Sequence, residues 1–473
     1  MSPYQFILNS KDPLSEAHNP FPELCDAFLL SEHYATASQI KKFITLKAQG
    51  NLIISDNGNF TRMGKIASKF AAKGEEIVNL AENEYKKLGK VSESTLQLRH
   101  ELMQAIIQEC IKQQNLISVA KITAKQLKYL PDIFIGMEDF TIPVLSMAGM
   151  FDYVFPSNAL EIIPYQKATQ QLFSLQANGQ FGHQKELKNT NKYIVYHAND
   201  YTSAYQAAAM DATIEKQGIA ISFGGPMSNN NYIKSIEIAG KTEVFDELLP
   251  ESYLSSIALV LGTINGDKTD NPIHILGLGT PILITLLGYT LRGSKKVTID
   301  STATFKDADD GKLYSSTNSF LKMDMYKVAA LALIDDIPYT SSSPWFQHFN
   351  EKHPSDWKAL QTALGVTPST KFNELAVTLK ASSPLLEKYI PFFMQMRSGR
   401  DTLIKDVRMA RTGTNYWAIK KATEKISELR NNENELKTWT ENEIEKYSKL
   451  ASPKFAKAVL KMYEFSCMYS FKL

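Results

Sequence analysis

Several carboxylates in this chain fall where apolar runs end. Val297-Thr298-Ile299 is β-branched throughout, and Asp300 closes it. Asn51-Leu52-Ile53-Ile54-Ser55 is a second apolar run, closed by Asp56 and followed by the turn residues Asn57-Gly58. A third run, 132–136, leads into Met137-Glu138-Asp139, a pair of adjacent acids. In an alternating β/α chain the carboxyl ends of the strands are where barrel enzymes keep their chemistry. Acids placed there can serve as nucleophile or as proton donor and acceptor. The plainer reading of Asp300 is a loop cap, a common task for aspartate after a strand. His197 closes the run 192–197 and reads first as a structural histidine.

The elements that must position these side chains follow from the pattern. Strand-like runs occur at 4–8, 27–30, 51–55, 132–136, 192–197, 218–222, 274–276 and 297–299. Helical periodicity occupies 38–46, 65–114, 201–215 and 251–265 between them. Gly277-Leu278-Gly279-Thr280-Pro281 is a glycine turn opening a helix at Pro281, which runs through Thr290 and ends near Gly293. Strands followed by helices, without long antiparallel alternation, predict a TIM-type (β/α)8 barrel over 1–335. A doubly wound open sheet is the alternative. Residues 336–473 are expected to form a mainly helical C-terminal region. Within 397–430 nine basic residues face four acids, so Arg397, Arg400, Arg408 and Arg411 are candidates for a basic helix face that meets nucleic acid. The alternative is an ordinary solvated helix.

With 473 residues, 44% apolar and 22% charged, the chain has the composition of a soluble globular protein. A net charge of +2 gives no global attraction to nucleic acid, so any such surface must be a local patch. Cys25, Cys110 and Cys467 lie far apart and form no C-x-C or C-x-x-C pattern. Neither a local zinc cluster nor a disulfide framework is expected, which fits a reducing compartment. No apolar stretch approaches eighteen residues, and the opening MSPYQFILNSKD does not read as a signal peptide. The expectation is a cytoplasmic protein without a membrane partner.

The stretch 274–314 resembles the tRNA-guanine transglycosylase family. That family carries a strand, a G-x-G-T/S-P turn, a helix, and a strand ending D-C-x-x-P-T-R-x-A-R-x-G-x-L-F/Y. Here Asp300 through Tyr314 aligns without a gap and matches at Asp300, Ala308, Gly311, Leu313 and Tyr314. Earlier blocks follow in the same order. Ser55 through Phe60 resembles T/S-D-S-G-G-F, and Asp132 through Asp139 resembles D-I-x-x-x-x-D-E. Ile194 through His197 stands at I-V-Q-G, and Ile219 through Pro226 resembles I-A-I-G-G-L. The departures are equally specific. The family's zinc motif has no counterpart, since the only cysteine after Asp300 is Cys467. The two family arginines that read the anticodon loop fall on Lys306 and Asp309, and an aspartate there would repel a phosphate backbone. A kept core with altered tRNA-reading parts is what the family's DNA-modifying branch would show. That branch occurs in bacterial modification islands and phages.

The resemblance implies a pentosyltransferase that exchanges guanine in DNA for a 7-deazaguanine, such as 7-cyano-7-deazaguanine, without metal or nucleotide cofactor. Asp300 would be the nucleophile and Asp56 the acid/base. Glu138 or Asp139 would hold the ring N1–H and the exocyclic amine. Gly224 and Gly225 would offer backbone groups to the base at close range, and Gly277 and Gly279 would do the same beneath the ribose. Tyr196 stands where the family has a glutamine on the base carbonyl. Tyr196 and His197 would line the pocket, and Phe60 would stack near the base or sit in the core. Lys306 and the basic helix would meet the phosphates of a flipped-out or single-stranded site. The alternatives are a tRNA-directed enzyme of the same chemistry and a catalytically silent nucleic-acid-binding partner subunit. The sequence leaves the oligomeric state open.

Overall fold

A computed structural model describes residues 4–9, 26–152, 154–155, 159–198, 200–210, 214–222, 232–268, 270–301, 303–315, 321–334, 356–390 and 405–470. Its strands are β1 (Tyr4–Asn9), β2 (Ala27–Ser31), β3 (Leu52–Asp56), β4 (Ile133–Ile135), β5 (Asn191–Tyr196) and β6 (Gly218–Ser222). They continue with β7 (Tyr232–Ile238), β8 (Lys241–Pro250), β9 (Ile273–Leu276), β10 (Val297–Asp300), β11 (Lys312–Tyr314) and β12 (Lys322–Asp324).

The order β1-β10-β9-β6-β5-β4-β3-β2 closes into a parallel barrel surrounded by helices, an α/β architecture of the TIM type. The reason is legible strand by strand. A parallel strand is covered on both faces, so its sequence is a continuous apolar run rather than an alternating one. Ala27–Ser31 and Ile133–Ile135 are buried at every residue. Registers such as Ala27↔Leu52 through Ser31↔Asp56, Phe134↔Lys192 and Val195↔Ala220 carry β2 to β6 side by side. Among the described residues no helix is long and apolar enough to cross a membrane.

Two antiparallel hairpins depart from the expectation. β7 and β8 pair around Ala239-Gly240, and β11 pairs with β12. Charged residues interleave with the apolar ones in β7 and β8, and most of their side chains are exposed or half-buried, so the run lacks the continuous apolar signature of a barrel strand.

The chain divides into two compact units. One comprises Met1–Asp26, Leu278–Arg292 and Asp300–Ala456; the other comprises Ala27–Gly277, Gly293–Ile299 and Lys457–Leu473. In the first, the helix Lys405–Leu429 packs on β1 and on the helix Pro281–Thr290. Tyr4 N–H donates to Ser427 Oγ at 3.2 Å, and the Tyr4 hydroxyl donates to the Leu287 carbonyl at 3.0 Å. Ala418, Ile419, Ala422 and Ile426 of that helix are fully buried. In the second unit a large apolar cluster joins the helices Asn59–Leu88 and Glu93–Asn115 to Phe140, Val144 and Leu145.

Candidate functional site

In the second unit the strand-end residues are fixed by their turns. Asp56 ends β3, and its Oδ2 accepts from Gly58 N–H at 3.1 Å. Gly58 has φ +76°, and a Cβ there would lie 2.9 Å from His33 N, so only glycine fits this turn. Asn57 Oδ1 accepts from Asn59 N–H at 2.9 Å as the helix Asn59–Leu88 begins. Arg62 donates to the Asn57 carbonyl and to Asn59 Oδ1, both at 2.9 Å, and pairs with Glu32 at 2.7 Å. Behind β3 the buried Tyr129 hydroxyl lies between the Leu30 carbonyl at 3.0 Å and Ser55 Oγ at 2.8 Å, and desolvation raises its pKa. Phe60, in the first turn of the helix, is 60% exposed, so it is not a core aromatic.

The loop after β4 is pinned by the helix Ala159–Ala177. Met137 N–H donates to Gln176 Oε1 at 2.8 Å, and Asp139 N–H donates to Thr169 Oγ1 at 3.0 Å. These bonds turn the two acids to different tasks. Asp139 Oδ1 accepts from Thr141 N–H at 2.8 Å, closing an Asx turn that leads into the helix Thr141–Met147. Glu138 is only 4% exposed, and its Oε2 accepts from the Asn57 side-chain amide. Its Oε1 faces His197 Nε2 at 3.8 Å. Asn57, Glu138 and His197 therefore form one buried polar group just beyond the ends of the neighbouring strands β3, β4 and β5. Tyr196, the last residue of β5, is buried beside them in sequence. Gly277 is exposed and has φ +84°, and nothing approaches its Cβ position within 4 Å.

In the first unit Asp300 ends β10 and is 4% exposed. The segment after it is tied down at several points. Ser301 Oγ accepts from Ala303 N–H at 2.9 Å, opening the helix Ala303–Asp309. Gly279 lies so close that a Cβ on it would meet Ala303 Cβ at 2.2 Å and Ser301 Oγ at 2.5 Å. The Gly279 carbonyl lies 3.1 Å from the Tyr314 hydroxyl, which donates to Asp307. Lys322 Nζ pairs with Asp307 at 2.7 Å. Burial and then the Asp307 charge raise the Tyr314 phenol well above its usual range. Asn415, fully buried, accepts from Tyr314 N–H at 2.9 Å and donates to the Thr304 and Lys312 carbonyls at 3.2 Å each. Lys306 is exposed on the short helix.

The basic helix differs from the expectation. Arg411 is wholly buried, so its guanidinium does not stand on a phosphate-facing surface. Lys421 and Lys425 pair with Glu424 and Glu428 along the same helix, at 3.1 and 2.9 Å. Arg397, Arg400, Gly224 and Gly225 lie outside the described residues, as does the side chain of Arg408. Among the described residues no three His, Cys, Asp or Glu side chains gather closely enough to hold a metal ion. Asn57, Asp307 and Asn415 received no role from the sequence. Asn57 alone carried a signal, being a polar residue directly after a strand-end aspartate.

No protein-family model matches the chain, and no curated protein matches it.

Proposed function

We propose that the chain is a base-exchange glycosyltransferase that replaces guanine in DNA with a 7-deazaguanine through a covalent aspartyl-nucleotide intermediate. The observation that carries the reading is the buried Asn57–Glu138–His197 group at the ends of three neighbouring strands, in a barrel whose β3 and β10 each end in aspartate. A carboxylate with a fixed amide donor on one oxygen keeps the other free to accept from a ring N–H.

The Asp300 carboxylate attacks C1′ as the C1′–N9 bond breaks, trapping oxocarbenium character as retaining glycosidases do. Asp56, protonated, gives its proton to the departing guanine. The incoming base then returns a proton to the Asp56 carboxylate and attacks C1′, releasing Asp300. Charge and protons balance over the two half-reactions, and the kinetics are ping-pong. DNA is favoured over tRNA because the sequence lacks the zinc motif and has Asp309 where the resembled family has an arginine. Lys306, exposed on its helix, suits a phosphate contact.

The test is incubation of the chain with labelled guanine and either duplex DNA, single-stranded DNA or tRNA. The expected result is label in DNA, lost when Asp300 is changed to alanine. Label in tRNA alone would move the reading to a tRNA enzyme. No label in any of them would favour a silent partner subunit.

A further inference from the structure

His197 directly follows β5, and only 4% of it reaches solvent. Its Nε2 has no hydrogen-bond partner among the described residues. Glu138 Oε1, the carboxylate oxygen it faces, is 3.8 Å away, beyond hydrogen-bond reach. Buried polar atoms are nearly always paired, so an exception asks for a reason. Two lone pairs facing each other repel, so a ring nitrogen turned toward a carboxylate carries the proton. The pair thus presents one N–H donor beside one carboxylate acceptor. The other Glu138 oxygen is already held by Asn57, which fixes the carboxylate in place.

A donor next to an acceptor is the complement of a lactam edge, where a ring C=O adjoins a ring N–H. We propose that His197 donates from Nε2 to the ring carbonyl of the bound base while Glu138 accepts from the neighbouring ring N–H, so that the pair selects 6-oxopurine-type rings. This rests on the guanine-exchange reading. Adenine in the same pose meets two mismatches. Its amine points a donor at the His197 donor, and its bare N1 points a lone pair at the carboxylate. A pocket built to hydrogen-bond a given group discriminates strongly against an analogue that lacks it.

The experiment is calorimetric titration of guanine, 6-thioguanine and adenine into the full-length chain, His197→Phe and His197→Gln, with thermal melting to confirm folding. 6-Thioguanine keeps N1–H and the 2-amine but offers sulfur, a poor acceptor, in place of oxygen. The unaltered chain should prefer guanine to 6-thioguanine by about tenfold or more. His197→Phe should lose that preference by weakening guanine while leaving 6-thioguanine nearly unchanged. His197→Gln, which keeps an N–H near the Nε2 position, should retain most of it. An unchanged preference in folded His197→Phe overturns the role of His197 and leaves base exchange standing. So does an unaltered chain that binds guanine but shows no preference over 6-thioguanine or adenine, a result that needs no variant to fold. An unaltered chain that neither binds guanine nor exchanges labelled guanine removes the function reading itself.

Discussion

The Asn57 side-chain amide donates both to the Glu138 carboxylate and, at 2.7 Å, to the Gly136 carbonyl, and so joins the loops after two neighbouring strands. Both side chains are at least 96% buried. A carboxylate taken out of water needs donors, and this amide is one the fold supplies. Asn57→Ala should therefore cost about 1–3 kcal/mol, the usual penalty for leaving a buried acceptor unsatisfied. Asn57→Asp should cost more, because it sets a second carboxylate against the first. Urea unfolding of the three proteins measures this. If both variants are as stable as the parent, the bond has no energetic role.

Asp300 and Asp56 are assigned different steps, so their variants should fail differently. On the proposed mechanism the parent should exchange guanine and form a covalent protein–DNA adduct detectable on a denaturing gel, and Asp300→Ala should abolish both. Asp56→Asn should slow exchange by about 10²–10⁴-fold, the usual contribution of general acid–base catalysis, and still leave a trace of adduct. Equal, partial losses in both variants would contradict the division of labour.

Gly279 has no room for a side chain against Ser301 and Ala303, the residues just after the proposed nucleophile. Gly279→Ala must push either the turn or the Ser301–Ala303 segment, at about 1–3 kcal/mol for overpacking. The expected signature is a lowered kcat with base affinity little changed, since Glu138 and His197 follow other strands, β4 and β5. Exchange kinetics together with a melting curve check this. A variant with parental kcat shows that the segment yields without moving Asp300.

The eight barrel strands were readable because a strand buried on both faces leaves an uninterrupted apolar run, as Ala27-Phe28-Leu29-Leu30 does. The strand-end acids were readable for the same reason, since a charge ends such a run abruptly. What each acid does was not. Glu138 and Asp139 are adjacent, and it is their bonding partners, of which Thr169 and Asn57 are distant in sequence, that decide which one turns to Thr141 N–H and which one faces His197. The helix Lys405–Leu429 misled because arginine spacing reports charge and not burial. Small and apolar residues between the basic ones bury the helix, and Arg411 goes in with them.

That burial reverses the expected effect of an arginine substitution. Arg411→Ala should lower stability by about 2 kcal/mol, through lost packing and disrupted buried polar contacts. The salt dependence of DNA binding should not change, because a wholly buried guanidinium releases no counterion from a phosphate. Denaturant unfolding and a binding isotherm at several salt concentrations separate the two effects. A shallower salt slope with unchanged stability would mean that Arg411 meets nucleic acid directly.

Cys110 offers a test by pH. Burial, and after it the Asp139 charge, pushes its thiol from the ordinary 9.0 up to about 12. In the folded protein it should resist iodoacetamide at pH 8.5, whereas half-buried Cys467 reacts, as residue-specific mass spectrometry would show. The sign for stability follows from which state holds the proton. Above pH 9 the unfolded chain releases the Cys110 proton and the folded chain keeps it, so unfolding is favoured as pH rises. The stabilising term is complete below pH 9 and is lost progressively toward pH 12. Cys110→Ala removes this titration, so the stability difference between parent and variant should shrink as pH is raised from 9 to 11. A difference that stays constant over that range would mean that the thiolate forms in the folded core as easily as in water.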